Sequence, residues 1–146
     1  MSLGDAPYTT VAAGGLSIVY ALLQTRVALY RIDTGIKFNS VTADGKPDEY
    51  LTAIQRVGQN FGEYTPTGLL LMLLLETNSP LPKKLVAAYG AALAVSRLTH
   101  AYALNNAYNP KMNHIPFRKF GFLSTAGLLV SAGAYLVYSG AKALRK

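Results

Sequence analysis

Arg56, Asn60 and Glu63 stand at i, i+4 and i+7, and Arg97 and His100 at i and i+3. On a helix each set falls on one face. Two guanidinium groups, a carboxylate, an amide and an imidazole have two obvious uses. They tie helices together, with Arg56, Glu63 and Arg97 pairing, or they hold a charged ligand. The arginines outnumber Glu63, so the surplus positive charge favours an anionic guest. His100 suits either a general base or a hydrogen bond between helices, whereas His114 falls in a loop and reads as solvated. The chain has no cysteine, so thiol chemistry requires a thiol brought from outside. Its two histidines lack ligand spacing, and no metal is expected.

The elements that carry these residues are apolar. The 146 residues are 51% hydrophobic and only 14% charged, which describes one domain with more apolar weight than an ordinary soluble one. From Ala6 to Thr25, and again from Phe120 to Ala141, no charged side chain occurs. Both stretches have the length of a membrane helix. The first follows Asp5 without a basic flank and reads as a retained span rather than a secretory signal. Two shorter uncharged runs, Tyr64 to Leu75 and Leu85 to Ser96, cannot cross about 30 Å of hydrocarbon at about 1.5 Å per residue. The first extends only backwards through Glu63, Asn60 and Arg56, because Glu76 to Pro82 reads as a loop with two prolines. The second extends only forwards through Arg97 and His100, because Lys83 and Lys84 mark its start. The expectation is an all-α integral membrane four-helix bundle, one domain over residues 1–146, with spans near 7–31, 50–75, 84–104 and 117–141.

Spans that alternate in direction bring the polar halves of the second and third to one side, with Arg26 and Arg31 from the first and Arg118 and Lys119 from the fourth. An isolated charge deep in a bilayer costs about 2.5–3.5 kcal/mol, so these groups must face one another or a hydrated cavity. The mouth of such a cavity also receives Lys37, Lys46 and Lys111; the other side has Lys83, Lys84, Lys142, Arg145 and Lys146. The excess favours a cytosolic mouth. The net charge of +7 is scattered at span ends and forms no stripe, which argues against nucleic acid and for lipid headgroups or an anionic ligand. Tyr8, Tyr30, Tyr50, Tyr89, Tyr108 and Tyr138 lie mostly near span ends as interfacial anchors. Pro66 leaves the Gly62 carbonyl without its helical donor beside the polar face.

The string Arg56-x-x-x-Asn60-x-x-Glu63-Tyr64-x-Pro66 resembles the second-helix signature of the MAPEG family, the membrane-associated proteins in eicosanoid and glutathione metabolism. Arg97-x-x-His100 is similar to the third-helix pair of its prostaglandin-synthase branch, and Gly-Glu-Tyr, Leu-Glu-Thr-Asn and Arg-Leu-Thr-His-Ala-Tyr are similar to strings in small bacterial-type members. The resemblance implies a homotrimer that binds glutathione as co-substrate between subunits, with no metal, and activates its thiol toward a lipophilic electrophile or hydroperoxide. It assigns the tripeptide to Arg56, Asn60, Glu63, Tyr64, Arg97 and His100, and to a first-span arginine, Arg26 or Arg31. Pro116-Phe117-Arg118 looks like the start of the fourth helix in the synthases, where an arginine stabilises the thiolate. Arg118 is therefore the catalytic candidate, with Lys119 beside it. The family's third-helix tyrosine falls at Leu104. Two other readings stand beside this one: a non-catalytic lipid-binding or scaffold member of the family, and a small membrane carrier. The implied location is multi-pass, in the endoplasmic reticulum or another organelle membrane of a eukaryote or the inner membrane of a bacterium.

Overall fold

The computed structural model describes residues 5–42, 44–107 and 109–145. Tyr108 and Lys146, read above as an interfacial anchor and as one of the charges opposite the mouth, lie outside the described residues. The chain is an all-α four-helix bundle: α1 (Pro7–Thr34), α2 (Glu49–Asn78), α3 (Lys83–Asn105) and α4 (Ile115–Ala143). Pro7 and Pro116 occupy the first turns of α1 and α4, where a missing N–H removes no helical bond. Gly35, at φ 71°, ends α1 in the left-handed region that a side chain would strain.

Asp48 caps α2 by accepting the Leu51 N–H at 2.8 Å, while its other carboxylate oxygen accepts the Tyr30 hydroxyl at 3.0 Å. Between α1 and α2, Arg31 donates to the carbonyls of Ile36 at 3.1 Å and Phe38 at 2.9 Å, which folds the connection back on the end of α1. Beneath it Ile36, Leu51 and Ile54 form a small cluster with Val27, Tyr30 and Tyr50. The main core lies deeper, where Leu16 of α1 meets Phe61, Met72 and Leu75 of α2, Val86, Tyr89 and Leu93 of α3 and Ala132 of α4.

The outer faces of α1 and α4 are apolar as well. Val11, Ile18, Leu22, Leu29 and Ile32 follow one face of α1, and Leu123, Val130 and Val137 follow one face of α4 at intervals of seven, all exposed. Continuous apolar stripes of this kind are a liability in water and fit a lipid neighbour. α1 and α4 are each long and apolar enough to cross a membrane.

One expectation is corrected. Glu76, Thr77 and Asn78 belong to α2, which continues to Asn78 and stops short of Pro80. The physical reason is the buried carboxylate of Glu76. It accepts the Tyr8 N–H at 3.1 Å on one oxygen, and the Thr9 N–H at 2.8 Å and Thr9 hydroxyl at 2.7 Å on the other. Ala6 gives α1 no side-chain cap, so the end of α2 supplies it, negative charge against the positive end of the α1 dipole. Lys83 closes the corner by donating to the Glu76 carbonyl at 2.8 Å. Glu76→Gln should lower stability by about 1 kcal/mol, through loss of the charge at a helix N-terminus. Thermal unfolding in detergent reads this, and an unchanged midpoint would mean that the cap is neutral or hydrated.

Candidate functional site

At the mouth end, α3 and α4 approach so closely that only a glycine fits at residue 121. A Cβ there would lie 2.6 Å from the His100 Cβ, 2.7 Å from the His100 nitrogen and 2.8 Å from the Ser96 carbonyl oxygen. Two of these are backbone atoms and cannot swing away. The same face of α4 carries Arg118 three residues before Gly121 and Thr125 four residues after it, so the close crossing sets both side chains against α3.

Arg97 is 1% exposed and is the largest fully buried side chain among the described residues. Its Nη2 donates to Asn60 Oδ1 at 2.6 Å and stands 3.2 Å from His100 Nδ1, and its Nη1 donates to Thr125 Oγ1 at 3.2 Å. The guanidinium also lies over the Tyr64 ring, 5.2 Å from its centroid. Thr125 in turn donates its hydroxyl to the Gly121 carbonyl at 2.7 Å. The cation is thus held by neutral groups from three helices, without a carboxylate at contact distance.

Above this network lies a cavity of about 250 Å³ bordered by Arg56, Gln59, Asn60, Glu63, His100, Leu104 and Arg118. It shares Arg56, Leu104 and Arg118 with a cavity of about 390 Å³ that reaches Pro47 and Glu49 at the mouth. It shares Asn60, His100 and Arg118 with another of about 470 Å³ that opens past Lys119 and Phe122. Together they span the size of a small-molecule site. Arg118 borders all three, Lys119 one.

The structure therefore brings five predicted residues, Arg56, Asn60, Glu63, His100 and Arg118, onto one cavity wall. Three others stand elsewhere. Arg97 is sealed beneath the wall, and Tyr64 lies under it with an edge-on contact to Phe122 at 6.3 Å. Arg26 is engaged at the mouth: Nη2 and Nε donate to the Tyr50 hydroxyl at 2.7 and 3.1 Å, Nη1 donates to Asn105 Oδ1, and the guanidinium lies 5.2 Å from the Tyr50 ring centroid. Arg31, the other first-span candidate, is committed to loop carbonyls.

The expected pairing of Glu63 with Arg56 or Arg97 is corrected. Among the described residues the ion pair within reach is Lys46 with Asp44, at 3.1 Å in the exposed loop. Arg56 and Glu63 both project outward into the cavity, two helical turns apart. Glu63→Gln should consequently leave the unliganded unfolding midpoint within about 0.5 kcal/mol of wild type. A loss of several kcal/mol would reveal a buried partner.

Two polar residues of the site escape a reading by type. Thr125 sits inside the longest apolar stretch, and its only signal is its spacing of seven from Arg118 and four from Gly121. Gln59 neighbours Asn60 but shares the wall through the face it has in common with Arg56 and Glu63.

The family model described as the MAPEG family matches residues 9–138, nearly the whole chain. No curated protein and no solved structure matches it.

Proposed function

From the premise that the chain belongs to the MAPEG family, we propose that this membrane protein binds glutathione in the cavity below the mouth and activates its thiol toward lipophilic electrophiles or hydroperoxides. The observation that carries the reading is the shared wall of Arg56, Asn60, Glu63, His100 and Arg118. Glutathione has two carboxylates, one ammonium group and one thiol. Arg56 and the donors beside it suit a carboxylate, Glu63 suits the ammonium, and a guanidinium near sulfur favours the thiolate over the thiol. The thiolate then attacks an electrophilic carbon, forming the S–C bond as the leaving group departs with the electron pair. With a hydroperoxide, two glutathione molecules reduce the O–O bond to alcohol and water and leave as the disulfide. The chain itself forms no covalent bond.

The fine assignment of residues follows the same reading. Arg118 is the thiolate-stabilising group, Arg56, Asn60, Glu63 and His100 contact the tripeptide, and Tyr64 and Arg97 support them from below. Arg26 contributes from a neighbouring subunit if its bonds to Tyr50 and Asn105 exchange.

The assembly we infer is a homotrimer of four-span subunits with a cytosolic mouth. What supports it is the exposed face of α2, where Arg56, Gln59, Glu63 and Thr67 recur at intervals of three and four. Lipid would charge about 2.5–3.5 kcal/mol for each ion on such a face, whereas another copy and a hydrated cleft would not. Mass measurement in detergent should give three chains, and a monomer that still binds glutathione would end the intersubunit reading.

Conversion of glutathione with a generic aryl halide, and with a lipid hydroperoxide, tests the activity. One observation favours a second reading, a binding or scaffold member without turnover: Leu104 borders the cavity where the family resemblance places a hydroxyl. Binding without conversion of either substrate would select it.

A further inference from the structure

We propose that Arg97 is a positioning residue that fixes the polarity of the cavity wall, presenting Asn60 and His100 to the ligand as hydrogen-bond donors only. The inference rests on the cavity being a ligand site, as proposed above, and adds the chemistry of the group that meets this part of it: an anionic or carbonyl oxygen, supplied in glutathione by a carboxylate.

The argument starts from a chemical asymmetry. A guanidinium donates through every nitrogen and accepts through none, and it is not deprotonated in proteins. Three atoms lie within reach of Arg97 Nη2: Asn60 Oδ1 at 2.6 Å, the Asn60 carbonyl oxygen at 3.3 Å and His100 Nδ1 at 3.2 Å. Because Nη2 can accept from none of them, the Asn60 amide and the His100 ring must each turn an acceptor toward it. For Asn60 this fixes the amide orientation, with oxygen toward Arg97 and the NH₂ group on the opposite side. For His100 it fixes the tautomer: Nδ1 presents a lone pair, so the proton of the neutral ring is on Nε2. An imidazolium would turn an N–H against the guanidinium. Asn60 and His100 both border the cavity. Among the described residues, neither Asn60 Nδ2 nor His100 Nε2 has a hydrogen-bond partner within the chain, and neither is an orphaned buried atom. These N–H groups are what the wall offers.

The consequence decides between the two roles open to His100. With its lone pair occupied by Arg97, the ring has no base to offer the cavity and serves there as a donor. The other charged groups that share a cavity with it are Arg56, Glu63 and Arg118 in the smaller one and Arg118 and Lys119 in the larger, and the three cations outweigh the one carboxylate in favour of an electron-rich ligand atom. Arg97 contributes its charge indirectly, through two neutral dipoles aligned by it, while its own guanidinium stays beneath the wall. Thr125, buried completely, holds the remaining end of the guanidinium.

Imidazole ¹⁵N resonances of the full chain in detergent test the tautomer directly. The chain has two histidines, so His114→Asn leaves the signals of His100 alone. The expected spectrum at neutral pH has a protonated Nε2 and an unprotonated Nδ1. A ring protonated at Nδ1, or at both nitrogens, would overturn the proposal whether or not glutathione binds. Arg97→Leu should release the constraint and raise the Nδ1–H population, and an unchanged tautomer in that variant would deny Arg97 its role. If Arg97→Leu does not fold, the wild-type spectrum still decides.

Asn60→Asp separates positioning from mere structure. Aspartate keeps an oxygen for Arg97 and strengthens that bond, yet removes the NH₂ donors from the cavity. The unfolding midpoint should hold or rise while the dissociation constant for glutathione rises by about tenfold or more. Equal affinity of Asn60→Asp and wild type would overturn the donor assignment. Absence of glutathione binding by wild type itself, with the Nε2–H tautomer present, would instead reject the ligand reading and leave the Arg97 constraint standing.

Discussion

Arg118→Ala is expected to leave glutathione bound and largely unreactive. Arg56, Asn60, Glu63 and His100 continue to hold the tripeptide, so affinity should change by less than about tenfold. The thiol loses the guanidinium that favours its ionised form. Its pKa then rises, and the ultraviolet absorbance of bound thiolate at neutral pH falls. Each unit of that rise corresponds to about 1.4 kcal/mol of lost preference for the thiolate. Removing one preorganised donor of this kind typically lowers turnover by about 10²–10³. The control is Lys119→Ala, because a step of one residue turns a helical side chain by about 100°. Loss of the thiolate signal in Lys119→Ala with Arg118→Ala unaffected would move the activating role by one residue. Loss in neither would leave binding without activation.

Gly121→Val is expected to disrupt the bundle more than any other single change discussed. A Cβ already meets the His100 and Ser96 backbones at 2.7 and 2.8 Å, and valine adds two methyl groups at the same crossing. Overpacking typically costs about 1–3 kcal/mol where side chains give way. Here the obstacles include backbone, so the cost should reach or exceed the top of that range. Gly121→Ala should fall lower and be more informative. It should separate α4 from α3 enough to weaken the Arg97 to Thr125 bond, and with it glutathione affinity, before the fold is lost. Thermal unfolding beside a binding titration distinguishes these effects. A fully stable Gly121→Val would mean that α3 and α4 do not cross at this point.

Much of the architecture was legible because the bilayer imposes simple limits. Uncharged stretches of the right length marked α1 and α4, and runs too short to span forced Arg56, Asn60, Glu63, Arg97 and His100 onto α2 and α3. Alternation of direction then put them at one end. The reading failed where a residue's role depends on a distant partner. Glu76 looked like loop because carboxylates and prolines usually signal one, yet its partners are N–H groups 67 and 68 residues away. Arg56 and Glu63 looked like a pair because opposite charges at i and i+7 share a face, but both point into open space rather than at each other. Arg97 was placed at the site by its spacing from His100 and by the family resemblance, neither of which tells its depth, and packing leaves it 1% exposed. Thr125 and Gly121 went unnoticed because small residues in an apolar helix acquire meaning only from the helix they touch.

Calorimetric titration of the purified protein in detergent with reduced glutathione tests the central claim most directly. The account predicts saturable binding that weakens at least tenfold in Arg56→Ala and Glu63→Gln, whose side chains border the cavity, and stays unchanged in Arg31→Ala, which holds only the loop. Saturable binding unaffected by Arg56→Ala or Glu63→Gln, or no heat of binding at millimolar glutathione, would contradict it.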